Sequence, residues 1–155
     1  MEQWTRGRRL GIDVGSVRVG VAACDPDGIL ASPVATVARD QQPKPDAVPS
    51  DISEILRYAA EYEAVEIVVG LPINLAGKEG PAATLIRQYA DRLAELAAPV
   101  PVVLADERMS TAAATRRLSE RGVRGRRQRA VVDQAAAVEI LQGWLDARRA
   151  GAVRG

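Results

Sequence analysis

The sequence predicts an α/β domain with the element order βββαβαβαα, on the strength of three observations. Short β-rich runs separated by turn residues occupy the stretch from Arg9 to Ala38. Two continuous apolar runs, Val65 to Val69 and Val100 to Ala105, have the length of strands covered on both faces. Around those runs, apolar residues recur at the three-to-four spacing of amphipathic helices. With 155 residues, 47% of them apolar and 26% charged, the chain suits one globular domain and buries a core without disulfide or metal staples. There is no internal repeat, and residues 1–155 are read as a single domain.

Arg9 to Asp13 and Arg18 to Cys24 form a predicted hairpin across Val14 to Val17, where Gly15 permits a tight turn. Asp27-Gly28 turns the chain into a third strand near Ile29 to Ala38, so three antiparallel strands open the domain. Arg39 to Ser50, with Pro43, Pro45 and Pro49, reads as a loop. Asp51 and Glu54 have the spacing of an N-cap and its third helical residue, opening a helix with Ile52, Ile55, Leu56 and Ala59 on one face. The apolar strand Val65 to Val69 is stopped by Gly70-Leu71-Pro72. Beyond the loop Ile73 to Gly80, Pro81 starts a helix marked by Leu85, Tyr89, Leu93 and Leu96. After Val100 to Ala105, Ser110 is placed to cap a helix carrying Ala114 and Leu118. A last helix from about Ala130 buries Ala136, Ala137, Ile140, Leu141, Trp144 and Leu145.

The chain contains no histidine, which removes the commonest general base, the commonest transition-metal ligand and every Ser-His or Cys-His arrangement. If the chain is an enzyme, carboxylates must carry its chemistry, and oxygen-only sites suit Mg²⁺ or Mn²⁺, hard cations that bind with substrate phosphates. Cys24, the single cysteine, has no internal partner and no CxxC companion; it reads as a small buried thiol, although a crosslink between two chains stays open. No signal-peptide pattern and no membrane-length apolar segment are found, so a cytoplasmic protein is expected.

Charge is unevenly spread. The net charge is only +1, yet Arg116 to Arg129 holds seven arginines against one acid, Glu120. Such a patch places attraction for a polyanion on one surface. The plainer alternative is a solvated helix end in an arginine-rich chain, since all but two of the 21 basic residues are arginine.

Three carboxylates stand out by position. Asp13 alternates with Ile12 and Val14 in the first strand and so shares a face with Gly11. Glu107 lies at the carboxyl end of the last strand, where open α/β sheets bind ligands. Asp133 shares a helix face with Ala136, Ala137 and Ile140, and an acid in an apolar contact surface is costly unless a cation meets it. Each also has a bland reading: a helix-dipole residue for Asp133, an ion pair with Arg108 or Arg18 for Glu107, a turn residue for Asp13. Adjacent Asp106 points away if the strand persists that far.

Four stretches then occur in order: Leu10-Gly11-Ile12-Asp13-Val14-Gly15-Ser16-Val17-Arg18-Val19-Gly20, Val68-Val69-Gly70-Leu71-Pro72, Asp106-Glu107-Arg108-Met109-Ser110-Thr111, and Asp133-Gln134-Ala135-Ala136-Ala137 running into Ile140-Leu141-Gln142. The first is similar to the opening GxDxGxxRxG motif of the YqgF (RuvX) family, and together they resemble that family over roughly residues 8 to 146. The resemblance implies a ribonuclease-H-like fold, a mixed five-stranded sheet with strands one to three antiparallel and helices on both faces. It implies an acidic triad on Asp13, Glu107 and Asp133. Members of the family are described as candidate Holliday-junction resolvases or as nucleases processing the 5′ end of precursor 16S ribosomal RNA. Ala76, in the loop Asn74 to Gly80, departs from a position often acidic in the family.

The expected activity is therefore two-metal phosphodiester hydrolysis with Mg²⁺ or Mn²⁺ held by Asp13, Glu107 and Asp133. Arg18, Arg108, Arg124, Arg126, Arg127 and Arg129 are expected to neutralise the phosphates of structured RNA or branched DNA. Gly15 and Gly20 are expected to let the nucleic-acid backbone approach. Two other classes stay in view: a binding module without catalysis, which lacks an aromatic stacking platform, and an ATP-binding actin or sugar-kinase type domain, which lacks a second glycine-rich phosphate motif. A monomer suits end trimming, and a homodimer suits two symmetric cuts.

Overall fold

Five strands form one mixed sheet in the order β3-β2-β1-β4-β5 in the computed structural model, which describes residues 4–112 and 126–154, with side chains described to residue 112 and from 131 to 150. β1 (Arg9–Val14), β2 (Arg18–Cys24) and β3 (Ala31–Ala38) are antiparallel. β4 (Glu66–Leu71) runs parallel to β1, and β5 (Val102–Asp106) parallel to β4. Between them lie α1 (Ser50–Glu61) and α2 (Pro81–Ala97); a 3₁₀ turn (Glu107–Met109) follows β5, and α3 (Arg126–Arg154) closes the described chain.

Alternation along the strands divides the core in two. Leu10, Ile12, Val19, Val21, Ile67 and Val69 face one side and meet Ile52 and Ile55 of α1 and Leu93 of α2. Ala22, Val68 and Ala105 face the other and meet Ala136, Ala137, Ile140, Leu141 and Leu145 of α3. Helices thus cover both faces, as the resemblance implied, and the six residues expected to be buried on the last helix are buried. Cys24 is buried as well; the Arg9 amide donates to its Sγ at 3.3 Å, and burial pushes the thiol above its ordinary pKa.

Local expectations needed adjustment at five places. β4 runs through Gly70 and Leu71, so Pro72 alone ends it. β3 begins at Ala31, because Gly28 at φ +67 turns the chain and leaves Ile29 and Leu30 exposed. Leu85 is exposed, and Ile86 takes its place beside Tyr89, Leu93 and Leu96, one step round the helix. Asp51 does not cap α1: Pro49 occupies that position and Asp51 is buried inside the first turn. α3 already includes Arg126, ahead of the start expected at about Ala130. At the helix expected after Ser110, the Ser110 hydroxyl accepts from the Ala112 amide at 3.2 Å; Ala114 and Leu118 lie outside the described residues.

Candidate active site

Asp13 is placed by the pleat of β1. Its alternation partner Gly11 lies directly under α3, where a Cβ would stand 2.6 Å from Leu141 Cβ and 3.0 Å from the Ala137 carbonyl oxygen. Asp13 itself is 5% exposed and sits opposite Gly20 of β2. A side chain on Gly20 would overlap the Asp133 carbonyl, so α3 rests its backbone on β2 at this point. Gly20 therefore admits a helix of the same chain, and the expectation that it admits nucleic acid is corrected. Gly15 is exposed, and a Cβ there would fall 2.8 Å from the Arg18 carbonyl oxygen across the turn, so the turn itself calls for glycine.

This close approach stacks Asp13, Gly20 and Asp133 across three elements. Arg18, the first residue of β2, donates its Nε to Asp133 Oδ2 at 2.8 Å, with both side chains about three-quarters buried. The sequence offered Arg18 as a partner for Glu107; in the structure Arg18 pairs with Asp133. Gln134, next along α3, donates to Thr36 Oγ1 at 3.0 Å and ties the helix start to β3.

Glu107 reaches the same edge from β5. Registers across the sheet run Gly11 to Val68 to Val103 and Gly70 to Ala105, all on the α3 side. Glu107 follows two residues after Ala105 as the strand ends, and it is 8% exposed. α3 also touches this turn, since a Cβ on Gly143 would stand 2.7 Å from the Met109 carbonyl oxygen. Asp106 has the opposite alternation. Its carboxylate accepts from the Arg108 amide at 2.9 Å and from the Arg108 guanidinium at 2.6 Å, and those hydrogen bonds hold it below the usual carboxylate range.

Arg108 is thus committed to Asp106 while remaining about half exposed. Arg124 lies outside the described residues. Arg126, Arg127 and Arg129 fall in the first turns of α3, and their side chains lie outside the described ones.

The donor set fits a hard divalent cation in kind: carboxylate oxygens only, two of them on buried side chains that water does not stabilise. Among the described residues no three acids are drawn together closely enough to hold an ion as they stand. The Arg18 guanidinium instead supplies the positive charge at Asp133.

A polar cluster beside this edge went unnoticed in the sequence. Asp51, 2% exposed, accepts from the Tyr89 hydroxyl at 3.1 Å and pairs with Arg39 Nε at 3.1 Å. Burial and the neighbouring carboxylate push the Tyr89 hydroxyl well above the ordinary tyrosine range. The signal was available: Asp51 is in phase with Ile55 and next to Ile52, an acid on an apolar face like Asp133. A largely apolar groove lined by Cys24, Leu30, Pro33 and Tyr62 lies at the other end of β1 from Asp13 and contributes nothing to this edge.

Residues 7–147 match the family described as RuvX: Holliday junction resolvase. The chain is 57% identical over 143 residues to a protein of Rhodococcus erythropolis, covering 92% of this chain and 80% of that one. It is 56% identical over 145 residues to a protein of Mycolicibacterium smegmatis, covering 94% and 84%. Both relatives bear the name "Putative pre-16S rRNA nuclease". Among solved structures, it is similar to RuvC of T. thermophilus in complex with Holliday junction substrate, with a TM-score of 0.54, 16% identity, and coverage of 92% of this chain and 96% of that one. At that identity the likeness establishes the fold.

Proposed function

The chain belongs to the RuvX family of Holliday junction resolvases, and from that premise we propose that it is a divalent-metal-dependent nuclease acting on pre-16S rRNA, with Asp13, Glu107 and Asp133 as its metal ligands. The observation that carries this reading is the stack of Asp13, Gly20 and Asp133, which brings two acids from distant parts of the chain to the edge where Glu107 follows β5. Relatives at 56–58% identity support the RNA substrate. The family description supports a second reading, cleavage of four-way DNA junctions.

The three acids, Asp13, Glu107 and Asp133, would hold Mg²⁺ or Mn²⁺. When bound, the ions stabilise the charge that builds on phosphoryl oxygens and make water a better nucleophile. Arg18 has a dual part. Without substrate it neutralises Asp133 at 2.8 Å; a substrate phosphate competes for the same guanidinium and releases Asp133 to act as a ligand. Glu107, buried beside the edge, keeps its carboxylate away from bulk water and directed by the turn that α3 braces.

The test uses one preparation, a precursor 16S rRNA fragment and a four-way DNA junction, with Asp13→Asn as control. Cleavage of the RNA in Mg²⁺ or Mn²⁺ that falls about a thousandfold in the variant supports the reading. Equal activity of the two proteins would sink it, and faster cutting of the junction would move the substrate to DNA. Independently of cleavage, Mn²⁺ is expected to raise the unfolding midpoint of the wild type and leave Asp13→Asn unmoved. Arg18→Gln should separate the two parts of Arg18: a larger Mn²⁺ shift than wild type, because Asp133 is already released, together with slower cleavage. A smaller Mn²⁺ shift in Arg18→Gln overturns the exchange of partners.

A further inference from the structure

We propose that Arg39 is a positioning residue for this site, splinting the β1–β2 turn so that Asp13 and Arg18 hold a fixed relation to one another. The inference rests on the nuclease reading of Asp13. Its basis is the hydrogen bonding of the turn, Gly15 to Val17, whose three consecutive carbonyls each accept from the segment just after β3. Arg39 Nη1 donates to the Gly15 oxygen at 2.7 Å, Gln41 Nε2 to the Ser16 oxygen at 3.2 Å, and the Arg39 amide to the Val17 oxygen at 2.8 Å. Within the turn, the Gly15 amide donates to the Arg18 carbonyl at 2.9 Å. Asp13 enters this turn and Arg18 leaves it, so the turn sets the spacing between a metal ligand and the arginine that competes for another.

The other end of the splint is anchored in the core. Arg39 Nε lies 3.1 Å from Asp51 Oδ2, and its guanidinium carbon lies 5.0 Å from the centre of the Tyr89 ring. Asp51 is fixed in turn by the Tyr89 hydroxyl at 3.1 Å and by the Ile52 amide at 2.9 Å. The guanidinium thus joins α1 and α2 on one side to the catalytic hairpin on the other. That task uses the reach and planar guanidinium of arginine, which donates Nη1–H to the Gly15 oxygen while its charge lies beside Asp51; a lysine ammonium keeps the charge opposite Asp51 but not the second N–H group directed at Gly15. A displacement of the order of 1 Å in a reacting group costs about a hundredfold in rate, so loosening the turn should be read in kcat.

The experiment measures kcat and KM on a labelled precursor 16S rRNA fragment in Mn²⁺ for wild type, Asp13→Asn, Arg39→Ala, Arg39→Lys and Gln41→Ala. All are assayed well below their unfolding midpoints. Arg39→Ala and Arg39→Lys are expected to lower kcat by roughly tenfold to a hundredfold with KM within about twofold of wild type. Arg39→Lys should regain most of the unfolding midpoint without regaining kcat, and amide exchange at Gly15 should quicken in both variants. A role confined to stabilising Asp51 would restore kcat along with the midpoint in Arg39→Lys, and that result overturns the proposal. If Arg39→Ala does not fold, Arg39→Lys and Gln41→Ala decide: a fall in kcat in both supports the splint, and wild-type kcat in both removes it. Should Asp13→Asn cleave as fast as wild type, the nuclease reading of the site fails and this inference with it. An inactive Asp13→Asn beside a wild-type Arg39→Lys overturns the positioning role alone.

Discussion

The two faces of the sheet are built by the same strands and packed by opposite means. Toward α1 and α2, β1, β2 and β4 contribute branched aliphatic side chains, Leu10, Ile12, Val19, Val21, Ile67 and Val69, all fully buried. Toward α3, the same strands contribute mostly small residues, Gly11, Gly20, Ala22 and Gly70 around Val68, and α3 settles almost onto the strand backbone. Large side chains hold helices away from a sheet and fill the gap with apolar volume. Small ones let helix backbone and sheet backbone meet, and polar groups on that face are then forced together. On this chain the consequence is that Asp13 and Asp133, 120 residues apart in sequence, lie on either side of one glycine. The aliphatic face supplies cohesion, and the glycine face supplies chemistry.

Substitution can break this contrast in a graded way. Gly20→Ala puts a methyl group into the Asp133 carbonyl, and because the obstacle is backbone it cannot swing aside. We expect a loss of about 3 kcal/mol in urea unfolding, together with loss of the Mn²⁺-induced rise in midpoint, as α3 lifts off β2. An Mn²⁺ response equal to wild type would show that the close approach does not serve the acids. Ile55→Val removes one methylene-sized group from the opposite face, where Ile55 is fully buried. It should cost about 1 kcal/mol and leave the Mn²⁺ response untouched; a diminished response would mean that the faces are not independent.

The smallest effect concerns Cys24, at the end of β2 away from the acids. Burial holds its thiol above the ordinary pKa, so the thiolate is depleted at pH 8 relative to a free thiol and gains as pH rises. Reaction with a disulfide reagent should be slow in the folded protein and complete within minutes in denaturant. Rapid labelling of the native protein would show that this end of the α3 face opens.

Much of the fold was legible in the sequence because its signals are local. The Asp27-Gly28 turn, the apolar runs of β4 and β5 and the stripe from Ala136 to Leu145 each declare themselves within a dozen residues. The errors came where a local rule met a competing partner. Asp51 and Glu54 have cap spacing, yet burial beside Arg39 and Tyr89 took Asp51 away from the helix end. Leu85 fits the helical period as well as Ile86 does, and only the position of α2 on the sheet selects between them. The candidate site was legible in part, since strand alternation alone excludes Asp106 and keeps Asp13. What the polar partners do was not.

By itself, then, the sequence determined the order and kind of the elements and the parity of each carboxylate, because strand and helix periods are properties of a few consecutive residues. The absence of histidine determined that oxygen ligands must do any metal chemistry. Only the tertiary structure decided that Arg18 meets Asp133, 115 positions away, and that Gly20 makes room for a helix rather than for a ligand. Those outcomes depend on how closely separate elements approach one another, a quantity set jointly by all the side chains between them and written in no single segment.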